Sequence, residues 1–285
     1  MKYILIFLLS ILELYAFNMD IYNSDISNGR TTIIEFKKEI DTKYDKVKVG
    51  KKSYKIYQHP SDKDKMYVLI PVSYYAKPSN MKLEIIYDKN SEKTSKLAFV
   101  HIEDGEYEKE EIHVQKSKVN PTDKKVKKRI AKEYAEAMGI YGVSTKQNHV
   151  SSKFIEPMNS KITSDFGKAR VYNGSLNGYH SGTDYRAKIG TPIKASNDGV
   201  VVLAKDRFYS GGTVIIDHGH GIYTCYYHMS KIEVKYGQVI KKAEVIGLSG
   251  DTGRVTGPHL HFSARVSGVQ VDPLQLLELL NRNLF

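Results

Sequence analysis

Two histidines two residues apart, His259 and His261, open the stretch His259-Leu260-His261-Phe262-Ser263-Ala264-Arg265-Val266. Read as a β-strand, this stretch sends alternate side chains to one face, so the two imidazoles project together. Each imidazole must satisfy a ring N–H and a lone pair. Two of them aimed into one space rarely serve packing alone. Neutral imidazole is the commonest metal ligand, and a metal site accounts for the pair. A pair of half-exposed histidines on a solvent face is the plainer reading of the same residues. If a metal is held here, the chain must fold so that further ligands reach this strand.

Candidates lie upstream. Tyr179-His180-Ser181-Gly182-Thr183-Asp184-Tyr185 places an imidazole four residues before a carboxylate. Zn²⁺ takes histidine nitrogen and aspartate oxygen, and a catalytic site keeps one position open for water. His180, Asp184 and one histidine of the His-x-His pair make three protein ligands. His228 sits in Tyr226-Tyr227-His228-Met229, another aromatic, strand-like run. This constellation resembles the M23 zinc metallopeptidases of the lysostaphin/LytM type, whose pattern is His-x-x-x-Asp, a later lone His, then His-x-His. Gly182, the Ser164-Asp165-Phe166-Gly167 stretch and the Gly257-Pro258 context also fit, and the resemblance covers roughly residues 150 to 275.

The resemblance implies an antiparallel, groove-forming β domain. It implies one Zn²⁺ held by His180, Asp184 and His261, with His259 as general base and His228 hydrogen-bonded to the water or the developing oxyanion. Spacing alone does not say which histidine of the pair binds the metal. The implied substrate is the peptide cross-link of peptidoglycan. In a wall with directly linked stem peptides that is the D-alanyl–meso-diaminopimelate bond, and in one with glycine bridges it is glycyl-glycine. The first is expected, since no cell-wall-targeting repeat is seen near Leu280. Two other classes remain as alternatives. One is a non-catalytic LytM-like activator of a wall amidase, although such regulators typically lack the zinc ligands. The other is a secreted bacteriolysin, which activity on own versus foreign walls would separate from a housekeeping enzyme.

A second His-x-His, His218-Gly219-His220, lies among alternating glycines after a strand and reads as a hairpin turn. A catalytic metal needs ligands fixed by surrounding structure, so this turn is not expected to bind one. Cys225 is the single cysteine, so no intramolecular disulfide forms. It reads as a small buried hydrophobe. Strand alternation sets it on the face opposite His228, against a nucleophilic role.

The net charge of +11 favours polyanionic partners. The lysines are scattered and no nucleic-acid motif is present, so nucleic acid is not expected; a carboxylate-bearing envelope polymer fits as well. Residues 1–16 read as a signal peptide, with basic Met1-Lys2, an apolar run from Tyr3 to Leu12 and Ala16 for cleavage. Glu13 and Leu14 weaken that cleavage site, which leaves an uncleaved anchor as the alternative. With no cysteine nearby, a lipid anchor is not expected. Either way the chain is expected to be exported to the periplasm.

From residue 17 to 120, runs such as Thr31 to Phe36, Met66 to Val72, Lys82 to Tyr87 and Leu97 to Ile102 alternate with turn-rich pieces. Short strands with regular turns predict a small antiparallel β-sandwich, for which an immunoglobulin-like form is one option. Its His59, His101 and His113 read as ordinary polar residues. Residues 121–150 read as a connector. Pro121-Thr122-Asp123 starts a helix over Lys124 to Met138 with the stripe Val126, Ile130, Tyr134 and Ala137. Gly139 and Gly142 end it, and Thr145 to Lys153 follows as a polar linker. Residues 151–285 read as the β-rich peptidase domain, closed by a helix from Pro273 to Leu280. A sandwich on so short a tether meets the groove at an effective concentration of order millimolar. It is expected to cover the groove or steer substrate without supplying a zinc ligand.

Overall fold

A computed structural model describes residues 19–113, 121–174 and 176–285, so the leader expected at residues 1–16 lies outside the described residues. The N-terminal half contains β1 (Met19–Tyr22), β2 (Asp25–Ser27), β3 (Thr31–Lys37), β4 (Thr42–Val49), β5 (Lys52–Lys55), β6 (Tyr57–Gln58), β7 (Lys65–Pro71), β8 (Ser79–Lys89), β9 (Glu92–Glu103) and β10 (Lys109–Ile112). Helix α1 (Lys124–Tyr141) follows. Next come β11 (Ile162–Ser164), β12 (Ala169–Tyr172), β13 (Leu176–Tyr179), β14 (Thr183–Arg186), β15 (Pro192–Lys194), β16 (Gly199–Arg207), β17 (Gly211–Asp217), β18 (Ile222–Ile232), β19 (Val239–Ile240), β20 (Val245–Ser249), β21 (His259–Val266) and β22 (Val269–Val271). Helix α2 (Pro273–Asn283) closes the order.

The N-terminal half is a sandwich of a four-stranded sheet, β1-β3-β7-β6, on a five-stranded one, β2-β9-β8-β4-β5. It is not purely antiparallel, because β2 runs parallel to β9. Strand alternation explains how β3 and β7 can be apolar at nearly every position. Ile34, Phe36, Val68 and Ile70 point into the sandwich core with Leu83, Ile85 and Val100. Their neighbours Ile33, Tyr67 and Leu69 point the other way, into a core shared with Leu276, Leu279 and Leu280 of α2. Strands buried on both faces read as continuous apolar runs. The four-stranded sheet is thus the middle layer of the molecule.

Polar contacts pin the same seam. The Gln275 side chain accepts from Thr31 N–H and donates to Thr31 O, each at 2.9 Å. Asp272 caps α2 by accepting from Leu274 and Gln275 N–H, and its own N–H donates to Gly29 O at 2.7 Å. The Ser61 hydroxyl donates to Leu284 O at 2.6 Å. The stretch from Thr145 to Lys153, expected as a polar linker, is packed as well: His149 N–H donates to His218 O and Val150 is buried, as is Phe154 just after it.

Helix α1 starts at the expected cap, Asp123, whose Oδ1 accepts from Lys125 and Val126 N–H at 2.6 and 3.1 Å. It runs through Gly139 to Gly142, whose N–H reaches Met138 O. Only the C-terminal end of its apolar stripe is buried: Ala137 and Tyr141 pack on Leu203, Ile215, Tyr223 and Cys225. Tyr134 is 66% exposed. The C-terminal domain is built on a ten-stranded sheet whose main path runs β11-β14-β21-β18-β17-β16-β19. No helix among the described residues is long and apolar enough to cross a membrane.

Candidate metal centre

The sheet order sets the site. Strand β21, which carries the His-x-His pair, lies between β14 and β18. Asp184 on β14 is directly opposite His261, and Tyr227 on β18 faces His261 from the other side. His180 enters from the loop before β14, held by backbone bonds to Gly167 and Lys168. Gly182 has to be glycine here, since a Cβ would lie 2.3 Å from Phe262 O and 2.7 Å from His261 Nε2. That close approach explains the glycine in His-x-Gly-x-Asp.

Three ligand atoms converge. His180 Nε2 lies 2.9 Å from Asp184 Oδ1 and 3.0 Å from His261 Nδ1, and His261 Nδ1 lies 2.8 Å from Asp184 Oδ1. All three residues are buried. His180 Nδ1 is 2.7 Å from Asp165 O, which can only accept, so Nδ1 carries the proton and Nε2 the lone pair. A lone pair and a carboxylate oxygen then meet with no proton between them. Such a donor set suits a cation, and two imidazoles plus one carboxylate are ligands that zinc takes. Burial raises the Asp184 pKa, but the adjoining His180 and His261 imidazoles outweigh it and hold the carboxyl well below its ordinary range. Burial likewise pushes the His261 pKa down to about 4.

The other two imidazoles stand beside this triad. His259 Nε2 lies 3.6 Å from Asp184 Oδ1, farther than the three clustered atoms, while its Nδ1–H donates to Gly257 O at 2.8 Å. His228 Nδ1–H donates to Thr252 O at 2.8 Å. Its ring centroid is 4.9 Å from that of His259 and 6.0 Å from that of His261. Simple alternation would turn His228 away from the face where Tyr227 stacks on His261, ring centroids 5.3 Å apart. A bulge intervenes: Gly212 pairs with Met229 but Val214 with Tyr226, and His228 adopts φ 63°. A bulge re-aims a side chain in this way. Burial first, then the neighbouring His259 and His261, lower the His228 pKa to about 3. With Nδ1 tied to a backbone carbonyl, the neutral form of each imidazole presents Nε2 as its acceptor.

Sequence reading missed a second layer. Arg170 on β12 donates from Nη2 to Asp184 Oδ2 at 3.2 Å and to Ser164 Oγ at 3.1 Å, and from Nε to Glu110 Oε2 at 3.1 Å. Glu110 belongs to β10, the last described strand of the N-terminal half, which pairs in parallel with β12 so that Glu110 sits beside Arg170. Glu110, Ile112 and His113 line a cleft of about 460 Å³ with Asp184, His228, His259 and His261. The N-terminal half thus supplies one wall of the site. None of the three clustered atoms comes from it.

The remaining expected residues lie elsewhere. His218 is buried, with Nδ1 donating to Asp198 O and Nε2 2.7 Å from the Thr224 hydroxyl. His220 stacks on Tyr57 with ring centroids 4.0 Å apart, and its Nδ1 is 2.7 Å from the Tyr67 hydroxyl. The glycine-flanked turn is therefore a seam between the two halves. Burial lowers both pKa values to about 4. Cys225 is buried, its thiol pKa raised by burial, and its Sγ lies 3.3 Å from the Tyr141 hydroxyl.

Residues 178–273 match the family model described as Peptidase family M23. Over 122 residues the chain is 45% identical to peptidoglycan DD-endopeptidase ShyA of Vibrio cholerae, which covers 42% of this chain and 28% of that protein. Over 97 residues it is 44% identical to DD-carboxypeptidase/endopeptidase Mpg of Neisseria meningitidis, covering 34% of this chain and 22% of that protein. The match thus spans about a quarter of the length of these curated relatives. A crystal structure described as a peptidase M23 from Pseudomonas aeruginosa superposes with TM-score 0.67 at 26% identity, covering 88% of this chain and 94% of that one. That likeness takes in the sandwich as well as the C-terminal sheet. The C-terminal domain of this chain is a domain of peptidase family M23.

Proposed function

We propose that this chain is a zinc-dependent peptidoglycan hydrolase that cuts peptide cross-links in the periplasm during wall remodelling, with the D-alanyl–meso-diaminopimelate bond as its target. One observation carries the reading. His180, Asp184 and His261 converge within 3.0 Å beside two imidazoles whose Nδ1 atoms are tied to backbone carbonyls. The substrate follows from the peptidoglycan endopeptidases that the domain is similar to, and the location follows from the substrate.

His180, Asp184 and His261 hold the metal. When bound, zinc supplies a water whose pKa falls to about 7 and polarises the carbonyl under attack. His259, whose Nδ1–H is held by Gly257 O so that Nε2 is left to act, takes the proton of the attacking water and passes it to the leaving amine nitrogen. His228 offers an acceptor at Nε2 and so orients the water; donation to an oxyanion would first require its protonation. Arg170 holds Asp184 by the oxygen turned away from the imidazoles.

The test uses the full chain loaded with zinc and purified muropeptide dimers, with products read by mass. Dimers joined by a D-alanyl–diaminopimelate bond are expected to become monomers. Dimers left intact under conditions in which the chain retains one zinc would overturn the reading.

A further inference from the structure

Adjoining the cleft, and sharing Arg254 with it, lies a second groove, about 1090 Å³, lined by residues of α1 and of the C-terminal sheet. Arg207, Arg254, Arg265 and Lys127 line it, with Tyr134 and Tyr227. The single carboxylate among its lining residues, Glu133, is already engaged. Its Oε1 accepts from Arg129 and its Oε2 from Phe208 N–H. Among the described residues, none of Arg207, Arg254 and Arg265 has a carboxylate partner, whereas Arg129 and Arg170 each have two. The groove therefore holds positive charge with no carboxylate partner among the described residues.

Arg254 is the member that matters for chemistry. It lines both this groove and the cleft of the metal centre. Its Cζ lies 4.4 Å from the Tyr172 ring centroid and 4.6 Å from that of Tyr209. Two aromatic contacts hold the guanidinium plane in place, yet they use none of its five N–H donors. A planar fork of donors, fixed in orientation and without a counter-charge, matches a carboxylate. Arg265 is held over Tyr141 at 4.3 Å, and the Nε–H groups of Arg207 and Arg265 have no partner. Both add positive field behind Arg254.

We propose that Arg254, backed by Arg207 and Arg265, is a carboxylate-recognition subsite that binds a free carboxylate of the stem peptide near the cleaved bond, so that peptides with that carboxylate free are cut in preference to amidated ones. The proposal rests on the hydrolase reading above and names the chemistry by which that site would select its substrate.

The test compares two muropeptide dimers that differ only in carboxylate versus carboxamide beside the cross-link, with the zinc-loaded full chain and its Arg254→Gln and Arg254→Lys variants. The wild type is expected to favour the carboxylate form by about ten- to a hundredfold in kcat/KM, the size of one charge-assisted hydrogen-bond contact. Arg254→Gln should collapse that ratio towards one, chiefly through KM, and Arg254→Lys should restore part of it. Equal wild-type rates on the two dimers would overturn the proposal and leave the hydrolase reading intact. Equal losses on both dimers in Arg254→Gln would likewise overturn it, by reducing Arg254 to a structural role. Cleavage of neither dimer by the zinc-loaded wild type would bring down the hydrolase reading, and this proposal with it.

Discussion

Asp184 is shared between two charge systems. Its Oδ1 meets the imidazoles and its Oδ2 meets Arg170, which Glu110 in turn balances. Outer-shell partners of metal ligands typically set affinity or activity by about 10–100-fold. Arg170→Ala is expected to weaken zinc binding within that range. Glu110→Gln, one step further out, should weaken it by about tenfold. Competition with a chelator measures both, and unchanged affinity in Arg170→Ala would remove the brace from the account. Two other histidines give a pH prediction. His218 and His220 have pKa values near 4 in the fold, against 6.5 for the free group. Between those values the unfolded chain binds more protons, so their stabilising contribution is complete above pH 6.5 and is lost as pH falls towards 4. The melting temperature of the metal-free chain should fall across that window, and less steeply in His220→Gln. Identical slopes for the two proteins would contradict the assignment for His220.

At the scale of elements, the site depends on β21 lying between β14 and β18, and on one bulge. Much of this was legible in the sequence. His259 and His261 are polar residues within an apolar strand, and His180, Asp184 and His228 occur in the order the family pattern requires. Alternation could not place His228, because a single extra residue reverses which face a side chain occupies. The Glu110–Arg170 contact was hidden for a different reason. It joins residues 60 apart through a parallel pairing that no local pattern announces. Parallel pairing of β2 with β9 escaped notice in the same way. The apolar runs of β3 and β7 read only as strands of a sandwich; their burial on both faces, and what covers the outer one, come from the structure. That cover is α2 over β3 and strands β21 and β22 over β7, so Leu69→Ala should cost about 2–5 kcal/mol, as buried leucine truncations do. Denaturant titration would show it, and a loss well under 1 kcal/mol would mean the seam contributes little.

For the whole molecule, the seam decides how the halves behave. One apolar cluster contains Ile33, Tyr67 and Leu69 from the sandwich together with Leu276, Leu280 and Phe262 from the C-terminal domain. Packing at Val150 and Phe154 leaves little free tether between them. Calorimetry of the full chain should therefore show one unfolding transition; two well-separated transitions would indicate independent halves. An isolated Ser151–Phe285 fragment would expose the apolar face of α2 and lose Glu110, and is expected to melt lower and hold zinc less tightly than the full chain. The proposed division of labour among five residues is tested most directly by zinc content measured alongside hydrolysis in single variants. His180→Ala should lose both metal and activity. His259→Ala should keep close to one zinc per chain while its hydrolysis falls by several orders of magnitude, because a base and the water it serves act as a unit. A His259→Ala protein without zinc, together with a His261→Ala protein that retains it, would contradict the account.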